Sequence, residues 1–129
     1  MKLKDIIKIL DAEVITGDDL LETDVKMACG CDLMSDVLSF VKSGSLLLTG
    51  LTNPQVVRTA EMADLAAVCF VRGKIPDAET IDMAKSRDIP LLTTHLLLFE
   101  SCGRLHREGL SGCSGSAQTR NTAFGGSSG

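Results

Sequence analysis

The sequence has no tryptophan and no tyrosine, and its 3% aromatic content comes from four phenylalanines. Stacking platforms for bases or sugars are therefore scarce, which disfavours binders that rely on aromatic faces. Charge points the same way. Thirteen Lys and Arg against seventeen Asp and Glu leave a net charge of −4, with no general attraction to nucleic-acid phosphates. Nucleic acid is not an expected partner. No apolar run approaches the roughly 18 residues of a membrane span, so no membrane partner is expected either. The stretch Met1 to Ile7 alternates charged and apolar residues and has neither the apolar core nor the small-residue cleavage site of a signal peptide. The expected location is the cytoplasm.

Several chemical motifs are also missing. Neither Gly-x-x-x-x-Gly-Lys-Ser/Thr nor Gly-x-Gly-x-x-Gly stands between a strand pattern and a helix pattern, which disfavours P-loop kinases and dinucleotide enzymes. Gly-x-Ser-x-Gly is absent from such a position too, and His95 and His106 are the only imidazoles. His95 reads as a capping or surface residue, and His106, beside Arg104 and Arg107, as a complement to a helix dipole. A small hydrolase or transferase is the least supported reading, and no catalytic residue is expected.

The five cysteines, Cys29, Cys31, Cys69, Cys102 and Cys113, form an odd set that does not suggest a disulfide framework. Cys69 lies in an apolar run, where a thiol behaves as a small hydrophobe. Cys29-x-Cys31 offers two thiolates to a metal or an iron–sulfur cluster, but two ligands are not four. No cofactor is expected, with a metal or iron–sulfur site at Cys29 and Cys31 as the alternative reading.

What is present is a regular alternation of strand and helix patterns over 129 residues, the length of one domain. Leu3, Ile6, Ile7 and Leu10 fall on one helical face. Val14 to Thr16 and Val25 to Cys29 read as strands, the second ending at Gly30. Asp32 is a candidate N-cap for a helix over Leu33 to Lys42, stopped by Ser43-Gly44. The apolar run Leu46 to Leu48 leads to a helix from Pro54 to about Ala63, capped by Asn53. Ala66 to Val71 repeats the buried-strand pattern, and a helix opens at Pro76-Asp77 and runs to about Arg87. Pro90 to Thr93 is a further strand, and Thr94 is a candidate cap for a last helix reaching about Arg107.

This alternation predicts a three-layer α/β/α domain with a mostly parallel sheet of about four to five strands over residues 1–110. Residues 111–129 turn to Ser, Gly, Thr, Asn and Ala, a composition that predicts a disordered tail, some of it of the kind cloning adds.

In such sheets ligands bind beyond the carboxyl ends of the strands, where helix N-termini present free N–H groups. The loops expected at that edge hold Gly30 and Asp32 with Ser35, Thr49 and Gly50 with Asn53, Arg72 with Lys74, and Thr93. Small and hydroxylated residues there suit a phosphate or ribose, with Arg72 and Lys74 supplying charge. The same residue types also suit plain helix capping, and composition leaves both readings open.

Three stretches carry a family resemblance: Leu3 to Gly17, Asp32 to Leu38, and above all Leu47-Leu48-Thr49-Gly50-Leu51-Thr52-Asn53-Pro54-Gln55, with Ile89 to Leu92 and Phe99 to Leu105 in support. Over about residues 2–108 the chain resembles stand-alone members of the DRTGG domain family. That resemblance implies an α/β/α module of the sort found beside CBS domains, in phosphate acetyltransferases and, in related form, at the N-terminus of HPr kinase/phosphorylase. It also implies a setting near iron-only hydrogenases. The literal Asp-Arg-Thr-Gly-Gly string is absent, and the nearest loop, Gly30 to Met34, keeps only the acid.

The expected function is a non-catalytic regulatory or ligand-binding domain, a homodimer, taking a small anionic or nucleotide-like molecule. An accessory protein of an iron–sulfur redox enzyme, with that enzyme as partner, is the alternative.

Overall fold

The computed structural model describes residues 1–114. Along the chain lie α1 (Leu3–Leu10), β1 (Glu13–Thr16), a short 3-10 turn, β2 (Met27–Gly30), α2 (Met34–Phe40), β3 (Ser45–Thr49), α3 (Pro54–Met62), β4 (Ala67–Phe70), α4 (Ala78–Ser86), β5 (Leu91–Thr93), α5 (Leu98–Arg107) and β6 (Ser111–Gly112). The sheet order is β1-β5-β4-β3-β2-β6. All neighbours run parallel except β1, which pairs antiparallel with β5.

The expected class holds: helices cover both faces of a mostly parallel sheet. Among the described residues the sheet has six strands rather than four to five because the β2 edge is extended by β6. β1 closes one edge, with a register shift between Val14 and Thr16. On the other edge β6 pairs with β2, although Ser111 and Gly112 fall within the stretch expected to be disordered. Backbone ladder bonds hold β6, and these leave no apolar signature in the sequence. Leu110, just before it, is buried. The rest of the expected tail, residues 115–129, lies outside the described residues.

Strands β3, β4 and β5 are buried throughout, and period-two alternation divides their side chains between two cores. Leu46, Leu48, Ala67, Cys69 and Leu92 meet Leu3, Ile6 and Leu10 of α1 and Leu105 of α5. Leu47, Val68, Phe70 and Leu91 meet Met34 and Val37 of α2, Val56, Val57 and Ala60 of α3, and Ala84 of α4. The crossover helices α2, α3 and α4 thus share one face, while α1 and α5 cover the other.

Two expected caps are corrected. Asp32 does not cap α2, which begins after Leu33 with no side-chain capping bond. Thr94 does not cap α5, whose N-cap position is Leu97; the buried Thr94 hydroxyl instead donates to the Leu10 carbonyl at 2.7 Å, fastening α1 to the end of β5. Asn53 does occupy the N-cap position of α3, but its side chain makes no capping bond.

Two-sided burial has a direct consequence. Leu47→Ala, at a fully buried position, is expected to cost about 3 kcal/mol in urea unfolding, whereas Met62→Ala on the exposed end of α3 changes stability by less than about 0.5 kcal/mol. Equal stability of the two variants would contradict this packing.

Candidate functional site

The parallel strands end at one edge, where their loops meet. At its centre the Asp32 carboxylate accepts hydrogen bonds from the Thr49 hydroxyl and the Gly50 N–H, both at 2.8 Å. The Thr49 hydroxyl oxygen in turn accepts from the Leu51 N–H at 3.2 Å. The loop after β2 is thereby tied to the loop after β3. The bonds from Gly50 and Thr49, with the charges of Arg72 and Lys74 nearby, hold the Asp32 carboxyl below its ordinary value of 3.8, against a smaller opposing effect of desolvation.

The loop after β4 brings in the cations. Arg72 lies in the left-handed region at φ 62, a conformation that costs a non-glycine residue roughly 1–3 kcal/mol and persists only where its surroundings enforce it. Here the Arg72 N–H donates to the Leu96 carbonyl at 2.9 Å and the Gly73 N–H to the Thr94 carbonyl at 2.8 Å. The resulting turn sends the guanidinium across the β3 loop, where a Cβ on Gly50 would stand 2.8 Å from Arg72 Nη2. A side chain at position 50 would displace the guanidinium from this place. Thr93 supports the same turn from below, its hydroxyl donating to the Lys74 carbonyl at 2.8 Å.

Beside this cluster lies an open cleft of about 570 Å³ lined by Gly50 to Pro54, Lys74, Ile75 and Asp77. Its walls include the amino ends of α3 and α4. The α4 end is occupied: the Asp77 carboxylate accepts from the Thr80 N–H at 2.9 Å, a bond that holds its own pKa low. The α3 end is not, since Asn53 leaves it uncapped. A volume in this range suits a small molecule, and an uncapped helix start beside a guanidinium and an ammonium suits an anion.

The expected site residues therefore separate. Asp32, Thr49, Gly50 and Arg72 come together, Asn53 borders the adjoining cleft, and Thr93 acts behind the Lys74 turn. Ser35 is exposed on the first turn of α2, where its carbonyl accepts from the Ser39 hydroxyl. Gly30 belongs elsewhere: it lines a second cleft of about 480 Å³ on the α5 face with Ala28, Phe99, Cys102, Leu105 and Leu110. That cleft is mostly apolar, with His106 and Arg107 at its rim.

Sequence reasoning read Asp77 only as a helix start, which it is, and did not single out Ile75 or the α5 cleft. The only available signals for the last were the apolar residues of α5 beyond its buried face, of which Phe99 is 88% exposed. Among the described residues no group of three or more His, Cys, Asp or Glu is placed to hold a metal, and no helix is long and apolar enough to cross a membrane.

With this geometry in view, comparison with known proteins is informative. The family profile described as "DRTGG domain" matches residues 5–107. Among solved structures the chain is similar to the crystal structure of the CBS and DRTGG domains of the regulatory region of Clostridium perfringens pyrophosphatase, complexed with its activator, diadenosine tetraphosphate. The TM-score is 0.67 at 18% identity, covering 81% of this chain and 45% of that one. This chain thus spans a little under half of that structure, and the likeness is one of fold. No curated protein matches the chain.

The Asp32 clasp carries a pH signature. A carboxyl whose folded pKa is depressed stabilises the fold above its unfolded pKa, and that stabilisation is lost as pH falls through the folded pKa. Asp32→Ala is expected to cost about 1 kcal/mol at neutral pH, with the gap to the unsubstituted protein constant above about pH 5 and closing below 3.8 in denaturant titrations at stepped pH. A gap that stays the same in acid would show that the carboxylate charge contributes nothing.

Proposed function

The chain belongs to the DRTGG domain family, and from that premise we propose that it is a regulatory domain without catalysis of its own, which takes a small anionic, nucleotide-like ligand at the loops following β3 and β4. The observation that carries this reading is that Lys74 and the uncapped start of α3 line one cleft of about 570 Å³, with the Arg72 guanidinium beside Gly50 at its border. A guanidinium recognises a phosphate with paired N–H donors, an ammonium adds a point charge, and the helix amides complete the shell.

The left-handed backbone at Arg72 supports the same reading. Strain at a residue whose guanidinium lies beside Gly50, at the border of the cleft, fits a side chain held for binding. Asp32 then has a positioning role. It draws the β3 loop into shape through Gly50 and Thr49, and its charge lies near the guanidinium. The related regulatory region is complexed with diadenosine tetraphosphate as activator, a molecule with nucleoside ends and linked phosphates, which makes polyphosphate nucleotides the first ligands to test.

Calorimetric titration with diadenosine tetraphosphate, ATP and inorganic pyrophosphate checks the proposal. At least one is expected to bind saturably, and Arg72→Gln to weaken it about tenfold, which is about 1.4 kcal/mol. Arg72→Gly, which relieves the positive φ, is expected to weaken binding equally without lowering the unfolding midpoint. Absence of binding by all three ligands, or unchanged affinity in both variants, would overturn the assignment.

A further inference from the structure

We propose that Cys29 and Cys113 form a thiol-modification site for small-molecule disulfides, which close them into an intramolecular disulfide that fastens β6 to β2. In the parallel ladder Met27 faces Ser111 and Ala28 faces Gly112. Cys29 is the next residue of β2, and Cys113 the first residue after β6. Neighbouring strands are about 4.8 Å apart, so the two chains leave the last rung, Ala28 with Gly112, within the span of about 4.4–6.8 Å that a disulfide bridges between Cα atoms. The chain bends after Gly112 and brings Cys113 over β2, where its thiol lies 3.3 Å from the Ser45 hydroxyl and 4.0 Å from the Ala28 carbonyl. By strand alternation Ser45 and Cys29 face the α2 side, so both thiols are on one face. Both also line an open cleft of about 540 Å³ shared with Phe40 and Lys42, which admits a small anionic disulfide.

The other cysteines are placed differently. Cys69 is fully buried in the core. Cys102 lies on the α5 face, where its sulfur would stand 2.7 Å from a Cβ on Gly30. Cys31 shares a face with Cys29 but is two residues along the same strand direction, about 6.6 Å away, and its sulfur is turned toward the Leu33 backbone at 3.4 Å.

The reaction balances as thiol–disulfide exchange. The Cys113 thiolate attacks one sulfur of the small disulfide, breaking its S–S bond and releasing one thiolate. Cys29 then gives up its proton to solvent, and its sulfur attacks Cys113 Sγ, expelling the second thiolate. Two protein thiols are oxidised to one disulfide, and the small disulfide is reduced to two thiols. Burial first, then the neighbouring Cys113, Cys31 and Cys102 thiols and Asp36, push the Cys29 thiol up to about 11, which keeps it protonated and disfavours it as the first nucleophile.

The test uses the full chain, reduced and then exposed to oxidised glutathione. The free-thiol titre is expected to fall from five to three, with peptide mapping linking Cys29 to Cys113 in a monomeric product. Cys29→Ser and Cys113→Ser are each expected to stop at a glutathione adduct, while Cys31→Ser closes normally. Mapping of the unsubstituted chain decides the question even if a variant fails to fold. A link between Cys29 and Cys31 or Cys102, an intermolecular disulfide, or glutathione adducts alone on the unsubstituted chain would overturn the proposal.

Discussion

Three adjacent strands with no solvent face set the terms for the rest of the molecule. Because β3, β4 and β5 are buried on both sides, each must be covered above and below, and the chain supplies α2, α3 and α4 to one face and α1 and α5 to the other. The polar side chains of these strands are then confined to their ends, at Ser45, Thr49 and Thr93. At the carboxyl end four loops crowd together, and their backbone amides and side-chain hydroxyls must find partners there. The Asp32 clasp, the Thr93 bond to Lys74 and the Thr94 bond to Leu10 meet that requirement. Among the described residues they leave the start of α3 without a side-chain cap, close to the two cations of the β4 loop.

Much of the architecture was legible in the residues because it depends on local pattern. The face formed by Leu3, Ile6 and Leu10 is buried as its spacing requires, and Asn53-Pro54 starts α3 where the proline sets φ and lacks the N–H that no helix start can satisfy. The buried strands announced themselves as unbroken apolar runs. Asp32 and Thr94 show where such reading stops. An acid or a threonine ahead of an apolar stretch suits capping its own helix, but each is used instead by a distant segment, Asp32 by a loop 17 residues on and Thr94 by the end of α1, 84 residues back. Propensity is local, and these partners are not.

The candidate site was legible in part for the same reason. Thr49, Gly50 and Arg72 were recognisable as loop residues at the carboxyl edge of the strands, but nothing in the sequence specified that Arg72 would adopt a left-handed backbone and reach over Gly50. That geometry comes from carbonyl partners at Thr94 and Leu96, which lie beyond the next strand. Gly30 and Ser35 suited a ligand loop equally well by type, but alternation turned Gly30 to the α5 face and the helix start left Ser35 on the surface. Residue type marks which loops are polar, whereas the sheet determines which of them meet. The short strand β6 and the approach of Cys113 to Ser45 were invisible for a further reason, since a two-residue ladder depends on backbone bonds alone.

The central claim, that an anionic ligand sits between the β3 and β4 loops, is tested most directly by amide chemical-shift mapping during titration with diadenosine tetraphosphate. The account predicts that the largest shifts fall on Gly50, Leu51, Thr52, Gln55, Arg72 and Lys74, with the α5 cleft around Phe99 and Leu105 unmoved. Shifts confined to the α5 cleft, or no shifts at saturating ligand, would contradict it.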